Sequence, residues 1–208
     1  MENELILYGA SGHCKVVMDV ILSTNYYQIK TILDDNCAIT SLYEYPVVPF
    51  LNYENNYHYA FFISIGNNEI RRKISSKWDV NYVKLIHYSA IVSCLNVSIG
   101  NGTVVMMNAI INPSVTIGTH CIINSGAIVE HDCKIADYVH VCPGAKLAGN
   151  VEVGEGTMIG LGSSIIQGVK IGKWVTIGAG AVIIKDVPDY AVVVGNPGKI
   201  IKYKDHGK

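Results

Sequence analysis

Residues 126–142 read GAIVEHDCKIADYVHVC, with aliphatic residues at 129, 135 and 141, six apart. Followed outward, the same phase holds at Ile99, Val105, Ile111, Ile117, Ile123, Val129, Ile135, Val141, Leu147, Val153, Ile159, Ile165, Ile171, Ile177 and Ile183. Four residues after these positions a second register carries only small or short-branched side chains, among them Ala109, Val115, Cys121, Ala127, Cys133, Val139, Ala145 and Val151. A helix repeats its apolar positions every three to four residues and a half-buried strand every two, so a period of six fits neither. It fits a solenoid in which a short strand and a corner recur with each hexad, the long residue filling the interior and the small one leaving room beside it. Three faces close one turn of a triangular prism, so these fifteen hexads predict about five turns of a left-handed parallel β-helix. Glycine after the aliphatic residue, as in IGTHCI and VGEGTM, relaxes the backbone at the corners.

Bulk properties narrow the partners. The chain has 208 residues, half of them hydrophobic, and a formal net charge of -1. Nothing in that balance provides the broad basic surface that nucleic acid requires. No apolar run is long enough to span a bilayer. The start, MENELILYGA, lacks the basic residues and long apolar segment of a secretory signal. The six cysteines are scattered without a CxxC pair, which points to reduced thiols and a cytoplasmic chain.

The hexad is absent before residue 86. LILYGA reads as a buried strand, SGHCKVVMDVILSTN as a helix, TILDD as a second strand, and YAFFISIG followed by NNEIRRKISSKW as a further strand and helix. Strands alternating with helices predict a small parallel α/β, Rossmann-like domain over residues 1–86, with the β-helix and a short tail over 87–208. Gly9 and Gly12 sit where the first strand turns into the first helix. There they serve either a tight turn or contact with a phosphate. Asp34 and Asp35 close the second strand, where an acid meets a ribose hydroxyl or caps a turn. Gly66 ends another strand at the same sheet edge. Together these three signals favour a nucleotide site.

LYGASGHCKVV, ILDD, FFISIGNNEIRRKI, the hexads, VEHDCKIADYVHVCPGAKLAGNV and VVVGNPGKII follow one another as in the bacterial nucleotide-sugar acetyltransferases, which this chain resembles along nearly its whole length. The likeness is to enzymes that N-acetylate a UDP-4-amino-4,6-dideoxy sugar in bacillosamine synthesis, and also to sialic acid O-acetyltransferases and GDP-perosamine N-acetyltransferases. The resemblance implies acetyl-CoA as co-substrate, a nucleotide sugar as acceptor, no metal, and a homotrimer with active sites between subunits and the tail packed on a neighbour. It implies His131 as general base, supported by Asp132, where the bacillosamine enzymes have glutamate. Also by resemblance, His140 and Asn124 meet the acetyl donor, and Leu161 and Ala179 contact coenzyme A. Ser11, Gly12, His13, Asp34, Asp35 and Gly66 match the nucleotide-sugar site.

The chemistry suits those residue types. Acyl transfer from a thioester needs an unprotonated nucleophile, a base for its proton, and donors for the developing oxyanion. An aligned amine attacks directly, so no acyl-enzyme is needed, and nothing around Cys142 marks it as a nucleophile. Plainer readings stand beside these. A lone His131 would be a solvated corner residue flanked by ordinary surface acids, and His140 could simply bond a backbone carbonyl. His58, His87 and His120 read as structural, and Arg71, Arg72 and Lys73 as a solvated helix face. Carbonic anhydrases built on the same coil hold zinc with histidines that include a pair five apart. His131 and His140 are nine apart, and zinc would compete with a base for the imidazole lone pair. A catalytically silent scaffold is the third class, and the retained His131–Asp132 pair speaks against it.

Overall fold

A computed structural model describes residues 3–50 and 59–205; His58 lies outside the described residues. The first strand, β1 (Glu4–Tyr8), is an interior strand of its sheet, which is why ELILY is apolar almost throughout instead of alternating. Helix α1 (Gly12–Thr24) follows and ends at Asn25 in the left-handed region, φ 52°. Strand β2 (Gln28–Asp34) then pairs parallel with β1. A short hairpin, β3 (Ser41–Leu42) and β4 (Tyr45–Pro49), extends the sheet on β2, and β5 (Ala60–Ile63) pairs parallel with the other side of β1. The described order is β3-β4-β2-β1-β5. Helix α2 (Asn68–Ser75) leaves the end of β5 and is capped by Asn67, whose Oδ1 accepts from the Ile70 N–H at 3.0 Å.

From Leu85 the chain winds as a left-handed parallel β-helix. Two-residue strands alternate with corners, and each strand pairs with the one a full coil later: Ile122 lies against His140, and Ile128 against Lys146, eighteen positions on. Three sheets of eight, six and five strands form the faces. The aliphatic register from Val105 to Ile183 and the small register from Ala109 to Val151 are all buried in one continuous core. Buried apolar area at ~25 cal/mol per Å² drives this stacking.

The coil begins earlier than the hexad count predicts. Leu85–Ile86 and Ile91–Val92 are already rungs, paired with Val104–Val105 and Ile110–Ile111. Between Val92 and Ile99 the interval is seven, not six. The extra residue lies in the corner around Asn96, which adopts φ 55°. This single slip hides the first coil from a fixed-phase count. At the other end, Ala191–Val194 continues the largest face parallel to Thr176–Ile177, and Lys199–Tyr203 folds back antiparallel on it.

The corners form three edges along the prism. Gly102, His120, Tyr138, Gly156 and Trp174 make the first edge; Asn108, Gly126, Gly144, Gly162 and Gly180 the second; Asn96, Ser114, Asp132, Asn150 and Gly168 the third. All have positive φ. The α/β sheet docks through α1 on the face between the first two edges, where Val17 and Met18 share a core with Val104, Met106 and Ile122.

Leu147 is fully buried inside the prism, while its neighbour Lys146 points outward. Leu147→Ala should lower stability by about 2–5 kcal/mol. Lys146→Ala should stay within about 0.5 kcal/mol. Guanidinium unfolding of the two variants checks the assignment of inside and outside.

Candidate active site

The predicted site residues fall into three groups. The first lies at the sheet edge. Both oxygens of Asp34 are taken by backbone amides, Ala10 N–H at 2.6 Å and Asn36 N–H at 2.8 Å, so this acid acts as a turn cap. Asp35 accepts from the Tyr8 hydroxyl at 2.8 Å. Ser11 and Gly12 are exposed where the turn enters α1.

The second group sits where the α/β sheet meets the coil. Asn124 Nδ2 lies 2.9 Å from His140 Nε2. Asn124 Oδ1 accepts from the Ser125 N–H at 2.8 Å, which fixes the amide so that Nδ2 is the nitrogen facing the ring. An amide nitrogen can only donate, so His140 Nε2 accepts and the proton belongs to the other ring nitrogen. The His13 ring is 6.3 Å from that of His140, and Gly66 lies beside His13. A cleft of about 220 Å³ opens next to Gly66, lined also by Asn68, Gly156, Met158 and Trp174. Leu161 and Ala179 are exposed on the second edge of the prism, the edge that follows the His140 strand.

The third group is on the third edge. His131 Nδ1 lies 2.8 Å from Asp132 Oδ2, and both side chains are about three-fifths exposed. Two corner hydrogen bonds hold the backbone: Asp132 N–H donates to Pro113 C=O, and Asn150 N–H to His131 C=O. Asp132 is itself in the left-handed region, φ 61°, which aspartate tolerates better than most residues. The imidazole lies over Gly149: a Cβ there would stand 2.5 Å from Cε1 and 2.7 Å from Nε2. The structure therefore brings His131 together with Asp132, and His140 with Asn124, His13 and Gly66. It places the first pair on the third edge and the His140 set at the face between the first two edges. A larger concavity of about 710 Å³, along Lys134, Glu152 and Lys170, contains none of the predicted site residues.

The solvated-face reading of α2 is overturned at Arg71. Its side chain is buried, and its guanidinium reaches from the helix to the coil. The partners are oxygen atoms 49 and 67 residues away, so charge on a short polar helix reads as surface until the fold is known. One signal was present: Asn68, Arg71 and Ser75 stand at i, i+3 and i+7, one helix face, and all three bond the coil or its side chains. Arg72 and Lys73 do face outward, Arg72 lying over the Trp174 ring at 5.4 Å and 3.2 Å from Glu155.

Electrostatics separate the histidines. Burial, then the Arg71 guanidinium, pushes His13 down to about 4. Burial, Arg71 and His13 push His140 down to about 3, against an opposing hydrogen bond that the ring donates to the Gly66 backbone. His120, stacked on Tyr138, is lowered to about 4 by burial and Arg71, with Asp137 opposing. These three imidazoles are neutral at pH 7. Burial pushes the Cys142 thiol up to about 11, which leaves it a poor nucleophile at that pH.

Residues 4–78 match the PglD N-terminal domain, and residues 96–131 and 150–185 match the bacterial transferase hexapeptide (six repeats). Fold and site thus define a hexapeptide-repeat acyltransferase with an α/β domain docked on its coil. Among solved structures, the acetyltransferase domain of PglB from Neisseria gonorrhoeae FA1090, in complex with acetyl coenzyme A, is 36% identical with a TM-score of 0.89, over 97% of this chain and 100% of that one. PerB from Caulobacter crescentus, in complex with CoA and GDP-perosamine, is 34% identical with a TM-score of 0.87, over 96% and 97%. WeeI from Acinetobacter baumannii AYE is 32% identical with a TM-score of 0.87, over 95% and 99%. The chain belongs to this family: it is an acetyl-CoA-dependent sugar N-acetyltransferase of the hexapeptide-repeat type. Among the described residues, no helix is long and apolar enough to cross a membrane.

Two measurements follow from this geometry. Below about pH 6.5 the unfolded chain protonates His13, His120 and His140, while the folded chain resists until about 4, or about 3 for His140. Their contribution to stability is therefore complete above pH ~6.5 and is lost on acidification toward 4, by about 1.4 kcal/mol per pH unit for each ring. Unfolding midpoints should be level from pH 8 to 7 and fall between 6.5 and 4. Separately, Gly149→Ala should displace the His131 ring from Asp132. Changed ring-nitrogen chemical shifts of that histidine in NMR spectra would report it, and unchanged shifts would remove the close packing.

Proposed function

We propose that this enzyme transfers acetyl from acetyl-CoA to the amino group of a UDP-linked 4-amino-4,6-dideoxy sugar, with His131 as general base. The observation that carries the reading is the His131–Asp132 pair. With Nδ1 engaged by the carboxylate at 2.8 Å, the proton-accepting lone pair lies on Nε2, at an exposed corner stiffened by the backbone ladder. The sugar amine attacks the thioester carbonyl carbon and forms the C–N bond as Nε2 takes the proton from nitrogen. The tetrahedral intermediate then expels the thiolate of CoA, which receives that proton. No covalent acyl-enzyme forms.

In this reading Ser11, Gly12, His13, Asp34, Asp35 and Gly66 frame the nucleotide sugar, and His140, Asn124, Leu161 and Ala179 the acetyl donor. Asp34 acts indirectly, by shaping the Gly9–Ser11 turn through its bond to Ala10. The donor group, on the second edge and the face leading to it, is separated from His131 on the third edge of the same prism. That separation supports a homotrimer in which the donor edge of one subunit meets the base edge of the next. The division of labour falls near residue 86, acceptor recognition before it and acyl transfer after it. A cytoplasmic location suits both substrates.

A second acceptor class has an observation in its favour. PerB was solved with GDP-perosamine, and its identity to this chain is close to that of the PglB domain, so GDP-4-amino sugars belong in the same test. Acetyl transfer should be measured across UDP-, GDP- and dTDP-linked amino sugars and sialic acid. The expected outcome is turnover on a UDP-4-amino sugar, reduced about 10²–10⁴-fold in His131→Ala. Turnover restricted to sialic acid would defeat the N-acetyl reading, and wild-type rates in His131→Ala would remove the base assignment.

A further inference from the structure

We infer that Arg71 is the positioning residue that sets the nucleotide-sugar pocket against the acetyl-donor site, by locking the loop that carries Gly66 to two successive corners of the coil. This rests on the two subsites proposed above.

The geometry is complete on the donor side. Nε donates to His120 C=O at 2.7 Å. Nη1 donates to Ile65 C=O at 3.1 Å and Gly66 C=O at 3.3 Å. Nη2 donates to Asn68 Oδ1 at 2.9 Å and Tyr138 C=O at 3.0 Å. A guanidinium has five N–H groups in a rigid plane, and five acceptors meet them here; a lysine ammonium has three and no fixed plane. Two acceptors belong to the loop after β5, and two belong to the first edge of the coil, one coil apart. Asn68 adds a further rung by donating to Gly156 C=O at 3.1 Å and Thr157 C=O at 3.3 Å.

Stability alone does not account for this arrangement. All five acceptors are neutral oxygens, and a well-packed apolar contact is often at least as stable as a buried charge. What the charge provides is direction. Gly66 adjoins His13, assigned to the sugar pocket, and its backbone hydrogen-bonds His140, assigned to the donor site. The same cation also helps keep both of those rings neutral. Because one side chain fixes the loop shared by the two subsites, releasing it moves acceptor relative to donor. Misplacement of about 1 Å can cost as much as 10²-fold in rate.

The test compares Arg71→Lys and Arg71→Met with wild type in the acetyl transfer assay, with CoA affinity by calorimetry and amide hydrogen exchange on the same proteins. The expected result is a kcat at least tenfold lower and an acceptor KM about tenfold higher, with CoA affinity changed less than threefold. Exchange should accelerate in residues 64–68 and around 120 and 138, but not in the rest of the coil. Folded variants with wild-type kcat and KM overturn the inference, and so does a lowered melting temperature with unchanged kinetic constants, which would mark Arg71 as structural glue. If neither variant folds, Asn68→Ala carries the test, with the same pattern expected at roughly threefold and unchanged kinetics overturning it. Wild-type protein inactive on every acceptor defeats the proposed function instead, and the lock then stands or falls on the exchange pattern.

Discussion

The interior of the prism admits only one arrangement of side chains. From Ser98 to Ile183 each coil closes in eighteen residues, so buried positions there have counterparts directly above and below, and an oversized side chain would push against its own column. That constraint explains the two registers. Long aliphatic residues reach the centre, while Ala109, Cys121, Ala127, Cys133 and Ala145 leave it unobstructed. Close-packed interiors resist changes of even one methylene, so the backbone outside this core inherits its regularity. The corners become fixed mounts.

The candidate site residues are attached to those mounts rather than to the core. His131 projects from a corner whose backbone is tied to the coils before and after it, and the coil after it supplies a glycine where a side chain would collide with the ring. His140 belongs to a strand, but it points out of the prism into the junction with the α/β sheet, where Asn124 one coil earlier holds its Nε2. In both cases the partner lies next to the histidine either in sequence or one coil away. A solenoid converts spacing along the chain into spacing in space with little distortion.

Legibility in the sequence varied with the distance between interacting residues. The adjacent His131 and Asp132 were recognisable as a pair. Asn124 and His140 were named together only by the family resemblance, and the structure brings them within 2.9 Å. The first coil was hidden by one extra residue between Val92 and Ile99, which shifts the phase without disturbing the pairing of Ile91 with Ile110. Asp34 read equally well as a ribose ligand or a turn cap, because both roles place an acid at the end of a strand. The structure shows the capping bonds, from the Ala10 and Asn36 amides. Arg71 was misread, since four of its five acceptors are backbone oxygens, which carry no side-chain signature in a sequence.

By itself the sequence determined the coil, its registers and the α/β sheet before it, and it offered the adjacent His131 and Asp132 as candidates for moving a proton. These depend on periodicity and on neighbours within one coil, and local spacing encodes both. The tertiary structure decided how the α/β unit sits on the coil, which histidines are kept neutral, and that the His140–Asn124 pair and His131 lie on different parts of the prism. Those outcomes depend on burial and on contacts between segments far apart in the chain. No local pattern of residues specifies where such segments meet.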